Sequence, residues 1–349
     1  MRDYKLNFTK LMCIAMIWYA TIDIILALIS PNIGNKFFIL MFGISYLYYN
    51  LVLARCHPKR ILANNLILVI SVGYACWNSG IYYTTHADFY AFVGLIYILG
   101  IVADRKYIET LGHYILNHKK SCYAAMICYF GCLFFSVIFK NGFHVDIDFG
   151  SNALFGPYPV ALELAYQLTF IYSLAAFIYF HSKSFFLLGI KIFCIGGIAL
   201  TGARSAFLAI AIIILIDYYV MKGTSQKWLL TMFGLTAVFY VLFFTDFITN
   251  SPVIKKTLIN IAEGSVSNNR DRFKAIVLSN YWEKTDIIRK IWGVGIDTVR
   301  LYLKNDPIVK VGIHAHNDYV NYLAGFGIWG LLIFLVSQFK VIWKMKNSC

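Results

Sequence analysis

Acidic residues and prolines are scarce in this chain: 17 Asp and Glu stand against 31 Lys and Arg, and its 349 residues hold only 6 Pro. Charged residues of both signs make up 14%, too little to cover the surface of a soluble domain of this length. Cysteine occurs eight times but never as a Cys-x-x-Cys pair, which removes the common signatures of a structural zinc site or a thiol redox motif. Most of the cysteines lie inside apolar runs and read as small buried hydrophobes. Repeats, low-complexity tracts and linkers are missing as well, so residues 1–349 are expected to form a single integral membrane domain. The net charge of +14 would suggest nucleic acid in a soluble protein. Here much of it sits in short loops between apolar runs, where Lys and Arg set topology, and nucleic acid is a poor candidate partner.

What fills the chain is apolar: 60% hydrophobic and 17% aromatic residues, with a mean hydropathy of +0.66. That composition belongs to an all-α, polytopic helical membrane protein. With about 20 apolar residues needed per crossing, roughly ten spans are expected. They fall near 11–29, 37–54, 61–78, 89–103, 122–139, 160–180, 184–201, 203–221, 228–247 and 320–343. The third and fourth are short, and the seventh and eighth are parted only by the Gly202 region, which predicts a tight hairpin. The first run is long and Ser30-Pro31-Asn32 is a poor cleavage site, so it reads as an uncleaved span rather than a signal peptide.

Lys and Arg alternate with these spans. Arg2, Lys5 and Lys10 precede the first; Arg55, Lys59 and Arg60 follow the second; Arg105, Lys106, Lys119 and Lys120 follow the fourth; Lys183 follows the sixth; Lys222 and Lys227 follow the eighth; Lys340, Lys344 and Lys346 close the last. The other short loops hold only Lys36 and Lys140. This places both termini in the cytoplasm and puts Arg204, with the whole segment 248–319, on the outer (periplasmic) side of an inner membrane. That segment is one large outer loop of about 70 residues, long enough to escape the charge rule. Within it Ser267-Asn268-Asn269 reads as a helix N-cap. Phe273, Ile276, Val277 and Tyr281 follow at helical spacing and predict an amphipathic helix lying on the bundle or the membrane surface. Trp292-Gly293-Val294-Gly295 reads as a turn. The loop is expected to be a lid or substrate platform.

The chemistry-bearing residues gather on this outer side. His314-Ala315-His316-Asn317-Asp318-Tyr319 opens into the last span, Arg204 stands at the edge of an earlier one, and Arg270 and Arg272 lie near the predicted helix start. Polar groups at the mouths of membrane helices are costly and mark function. Arginine offers a planar fork that stays charged and suits a diphosphate, and a helix start favours an anion through its free amides and dipole. A histidine can take the proton from an attacking hydroxyl near neutral pH. Such a set fits an anionic leaving group and a hydroxyl nucleophile.

His316-Asn317, nine residues, then Gly327-Ile328-Trp329-Gly330 resembles the pattern of the O-antigen ligase/polymerase family: His, then Asn, Ser or Gln, nine residues, then Gly-x-x-Gly. Thr201-Gly202-Ala203-Arg204-Ser205 resembles the family's arginine segment, and Asn269-Arg270-Asp271-Arg272-Phe273 with Trp292-Gly293-Val294-Gly295 its large outer loop. The similarity covers about residues 195–343. It implies an inverting, metal-independent glycosyltransferase of the GT-C type without cofactor, whose donor is a glycan on undecaprenyl diphosphate. His316 would activate the acceptor hydroxyl; Arg204 and one or both of Arg270 and Arg272 would hold the diphosphate; His314, Asn317, Asp318 and Tyr319 would support them. The pattern does not separate ligases, which join a finished glycan to lipid A–core, from polymerases, which join repeat units and work beside a chain-length regulator. The small number of spans, and the abundance of Ile, Phe, Tyr, Asn and Lys expected of an AT-rich polysaccharide gene cluster, favour a polymerase.

Plainer readings stand beside these. His316 alone is an interfacial histidine satisfied by Asn317 or backbone, Arg204 a helix cap or a snorkelling side chain, and Arg270 and Arg272 a solvated helix start beside Asp271. Asp23 and Glu163 are expected to face the bundle interior, while Tyr82, Tyr83 and Tyr158 are candidates to stack on sugars. Gly327 and Gly330 have a packing explanation. A lipid-linked oligosaccharide flippase would instead place charge near the midplane and keep its loops short. His314 and His316 lack a third metal ligand at suitable spacing.

Overall fold

The computed structural model describes residues 2–30, 105–140, 142–146, 151–203, 206, 208–214, 270–307, 309–310 and 317–346, with scattered positions between 44 and 70. The spans expected at 37–54, 61–78, 89–103 and 228–247 lie largely or wholly outside these residues. Elsewhere the helices are α1 (Arg2–Ile29), α2 (Arg105–Asn117), α3 (Lys119–Phe139), α4 (Ala161–Ser182) and α5 (Phe185–Thr201), and all but the amphipathic α2 coincide with expected apolar runs. Within the outer segment stand α6 (Arg270–Lys284), α7 (Ile287–Trp292) and α8 (Ile296–Lys304), followed by α9 (Asp318–Lys346). Among the described residues four stretches are long and apolar enough to cross a membrane: Lys10–Ile29, Lys119–Phe139, Ala161–Ser182 and Tyr319–Val336. The 17 residues of α5 are shorter but equally apolar in character, and at 1.5 Å per residue they reach the low end of a crossing length.

The all-α expectation needs one correction. Between α3 and α4 the chain forms an antiparallel hairpin, β1 (Phe143–Asp146) with β2 (Ser151–Leu154), in register Phe143↔Leu154 to Asp146↔Ser151. The run is too short and too polar to span, and its closure is fixed by the amides of Phe155 and Gly156 donating to the Gly142 carbonyl at 2.8 and 3.0 Å.

The chain gathers into two bodies. One contains residues 14–37 and 113–266. Its core is built from one face each of α1, α3, α4 and α5, with Ile24, Met126, Tyr129, Leu168, Tyr172 and Ile198 fully enclosed. Polar side chains tie the helices together where lipid would offer no partner. Trp18 Nε1 donates to Ser121 Oγ at 3.0 Å, Thr21 Oγ1 to the Ala125 carbonyl at 2.8 Å, and Gln167 Nε2 to Asp23 Oδ2 at 2.9 Å. Asp23, 5% exposed, does face the bundle interior as expected. Tyr158 is 4% exposed, so it is core and not a platform for sugars. Lys183 in the left-handed region ends α4, Ser184 begins α5, and Gly202 at φ 71 ends it. Gly202 is a turn residue and Ala206 is helical.

The second body contains residues 1–13, 38–112 and 267–349. Here α6, α7 and α8 each pack on α9, and α6 also packs on α8. Val277 and Tyr281 of α6 meet Val299 and Leu303 of α8 and Val320 and Ala324 of α9 in one apolar core, with Phe273 and Ile276 at its margin. The apolar stripe read from the sequence is therefore the buried face of α6.

Candidate functional site

The beginning and the middle of α9 are both set by punctuation. Asn317 is its N-cap: its Oδ1 accepts from the Val320 amide at 3.1 Å, while its backbone carbonyl accepts from Asn321 at 2.9 Å. The Val320 amide, one of those that every helix start leaves open, is thus engaged by the cap, and the Asn321 bond is the first of the helix. Nine residues later the helix breaks. Gly327 stands at φ 71, ψ −168, inside what composition alone reads as one continuous span. The stretch Asp318–Phe326 is consequently a half-helix about 14 Å long. The fixed spacing from Asn317 to Gly327 is the length of that half-helix.

A break withdraws helical donors from the carbonyls just before it, which is tolerable at membrane depth only if other protein groups replace them. The turn between α7 and α8 does so. The Val294 amide donates to the Ala324 carbonyl at 2.8 Å and the Gly295 amide to the Gly325 carbonyl at 2.9 Å. The approach is so close that no side chain fits. A Cβ on Gly293 (φ 93) would lie 2.2 Å from the Gly325 oxygen, and one on Gly327 would lie 2.2 Å from the Ile291 oxygen. Gly293 also closes α7, donating to the Arg289 carbonyl at 2.7 Å, and the Tyr281 hydroxyl of α6 donates to the Lys290 carbonyl. Burial pushes the Tyr281 phenol up to about 12. Tyr302 of α8 is raised by burial too, with Arg289 opposing that shift.

Of the residues expected to act chemically, Arg204, His314 and His316 lie outside the described residues. Arg270 is the first residue of α6 and Arg272 is exposed in its first turn, where Lys274 pairs with Asp271 at 2.7 Å. Asn317 is engaged as a cap, and Asp318 opens α9. Tyr319 is 53% exposed, its ring edge-on to Phe334 at 5.3 Å. The structure brings the α6 that begins with Arg270 and the half-helix that follows His316-Asn317 into one packed body. The reading of Gly327 as a small packing residue holds: the Ile291 carbonyl of α7 and the Gly293 amide just after it approach closely. The interlock itself was missed. Its signal was a pair of Gly-x-Gly triplets, Gly293-Val294-Gly295 and Gly325-Phe326-Gly327. No group of three or more metal-ligating side chains occurs among the described residues.

These features define a helical membrane protein with a broken last span, clasped by a helical segment that carries basic residues. Residues 189–335, from α5 into α9, match the family model described as O-antigen ligase. The match supports a membrane enzyme of the ligase or polymerase type. No curated protein matches the chain.

Proposed function

We propose that the protein is a membrane glycosyltransferase that moves a glycan from undecaprenyl diphosphate to a sugar hydroxyl on the periplasmic face, acting as a surface-polysaccharide polymerase. The match over residues 189–335 supports a transferase of the ligase or polymerase type, because it spans every residue assigned a part; the choice of polymerase rests on the expected number of spans and the composition. The acceptor oxygen attacks the anomeric carbon, the bond from that carbon to the diphosphate breaks, and undecaprenyl diphosphate leaves with the electron pair. His316 takes the hydroxyl proton. Arg204, with Arg270 and Arg272, holds the charge that develops on the leaving group, the arrangement in which preorganised donors contribute most. A single displacement inverts the anomeric configuration. His314, Asp318 and Tyr319 orient the acceptor or the base. Asn317 acts through the helix that it caps. A ligase that joins the finished glycan to lipid A–core is the second reading, favoured by the description of the matching family.

The test is the lipopolysaccharide banding pattern of a deletion strain complemented with wild type or His316→Ala. Core bearing a single repeat in the deletion and in the His316→Ala strain means polymerase. Bare core, with long glycan retained on undecaprenyl diphosphate, means ligase. A full ladder in both refutes the assignment.

A further inference from the structure

We infer that the turn Gly293-Val294-Gly295 is a positioning clamp for the reacting end of the last span, with Gly293 and Gly327 as its two faces. This inference rests on the proposed role of His316. The half-helix Asp318–Phe326 is held at three places. Its start is closed by Asn317. Its flank is packed through Val320 and Ala324 against Val277, Tyr281, Val299 and Leu303. Its end is bound by two amides of the turn to the carbonyls of Ala324 and Gly325, at 2.8 and 2.9 Å. Packed side chains alone allow a helix to slide or roll over small distances, whereas two backbone hydrogen bonds to successive carbonyls fix both its height and its rotation. His316 immediately precedes the cap, so a shift of the half-helix is passed to it across one residue.

The clamp is reciprocal. Each glycine sits against the other's backbone, with Gly327 N 2.6 Å from a Cβ placed on Gly293 and Gly293 N 2.6 Å from one placed on Gly327. Neither position accepts a methyl group without parting the turn from the helix. Bond-forming steps are sensitive to misplacement on the order of 1 Å, so the consequence should fall on the chemical step and spare donor capture, whose Arg270 and Arg272 stand at the opposite end of α6 from Tyr281 and the clamp.

The test uses the full-length protein in lipid nanodiscs, supplied with the lipid-linked glycan that accumulates in the deletion strain. Wild type, Gly293→Ala, Gly327→Ala, Gly327→Asn and His316→Ala are compared for kcat and for donor KM, each normalised to monodisperse, folded protein. Gly327 at φ 71, ψ −168 stands in a region that essentially only glycine occupies, so Ala and Asn there meet both strain and close approach. Val294→Pro, which changes neither glycine, is compared alongside them to separate the lost hydrogen bond from backbone strain. The expected result is at least a tenfold loss of kcat in all three glycine variants with donor KM within about twofold. Full kcat per folded molecule in Gly293→Ala and Gly327→Ala, with His316→Ala inactive, overturns the clamp and leaves the function standing. Full kcat in Val294→Pro beside a loss in the glycine variants also overturns it, because strain at the glycines alone then explains the loss. An active His316→Ala refutes the functional reading itself. Where an alanine variant does not fold, Val294→Pro, which deletes one donor and adds no atom at either glycine, takes its place with the same expected loss.

Discussion

Substitution of Asn317 separates a cap from a chemical group at the position beside His316. The structure assigns its Oδ1 to the Val320 amide at 3.1 Å and its carbonyl to the first helical bond, with Asn321. The nine residues that follow are too few to hold a helix by themselves, so closure of the first turn matters more here than in a long helix. Loss of the cap in Asn317→Ala should cost about 1 kcal/mol, or roughly 2–4 °C in the unfolding midpoint. The informative variants are Asp, Ser and Gln. Asp and Ser cap as well as Asn, while Gln keeps the carboxamide on an arm one methylene longer. The cap account therefore expects Asp and Ser to retain the wild-type midpoint and the polysaccharide ladder, with Gln close to Ala. Thermal unfolding of the purified variants in one detergent, with complementation of the deletion strain in parallel, reads both properties. If Gln matches wild type while Asp and Ser fall with Ala, the carboxamide acts on substrate or on His316, and the cap reasoning is refuted.

Three further outcomes are expected. Gln167→Leu removes the donor that Asp23 uses at 2.9 Å inside the bundle and should destabilise by about 1–3 kcal/mol, whereas a variant as stable as wild type would show that the pair is not needed. Tyr281 is neutral in the folded protein up to about pH 12 but titrates near pH 10 when unfolded. Its contribution is thus full below pH 10 and lost as pH rises toward 12; Tyr281→Phe should flatten the fall in unfolding midpoint over that window, and an unchanged slope would contradict the assignment. Arg204→Lys should lose most transfer activity, because a point charge does not replace the bidentate fork, and full complementation by the lysine variant would remove Arg204 from diphosphate binding.

The spans at α1, α3, α4 and α5 were legible because a lipid-crossing helix needs only length and apolar side chains, both of which are local. The buried stripe of α6 was legible for a related reason: Phe273, Ile276, Val277 and Tyr281 recur at the helical period whatever they pack against. The hairpin Phe143–Leu154 gave a weaker signal, since four-residue strands carry little periodicity. Tyr158 misled because an aromatic residue between prolines looks the same whether it faces sugar or core.

Sequence by itself determined that this chain is a helical membrane protein with basic and titratable groups before the last span, and it marked Asn317 and Gly327 with nine residues between them. Only the tertiary structure decided what that spacing is for. The break at Gly327 and the turn at Gly293–Gly295 satisfy each other through backbone amides and carbonyls. Every residue carries those groups, so no pattern of side chains records which of them will meet.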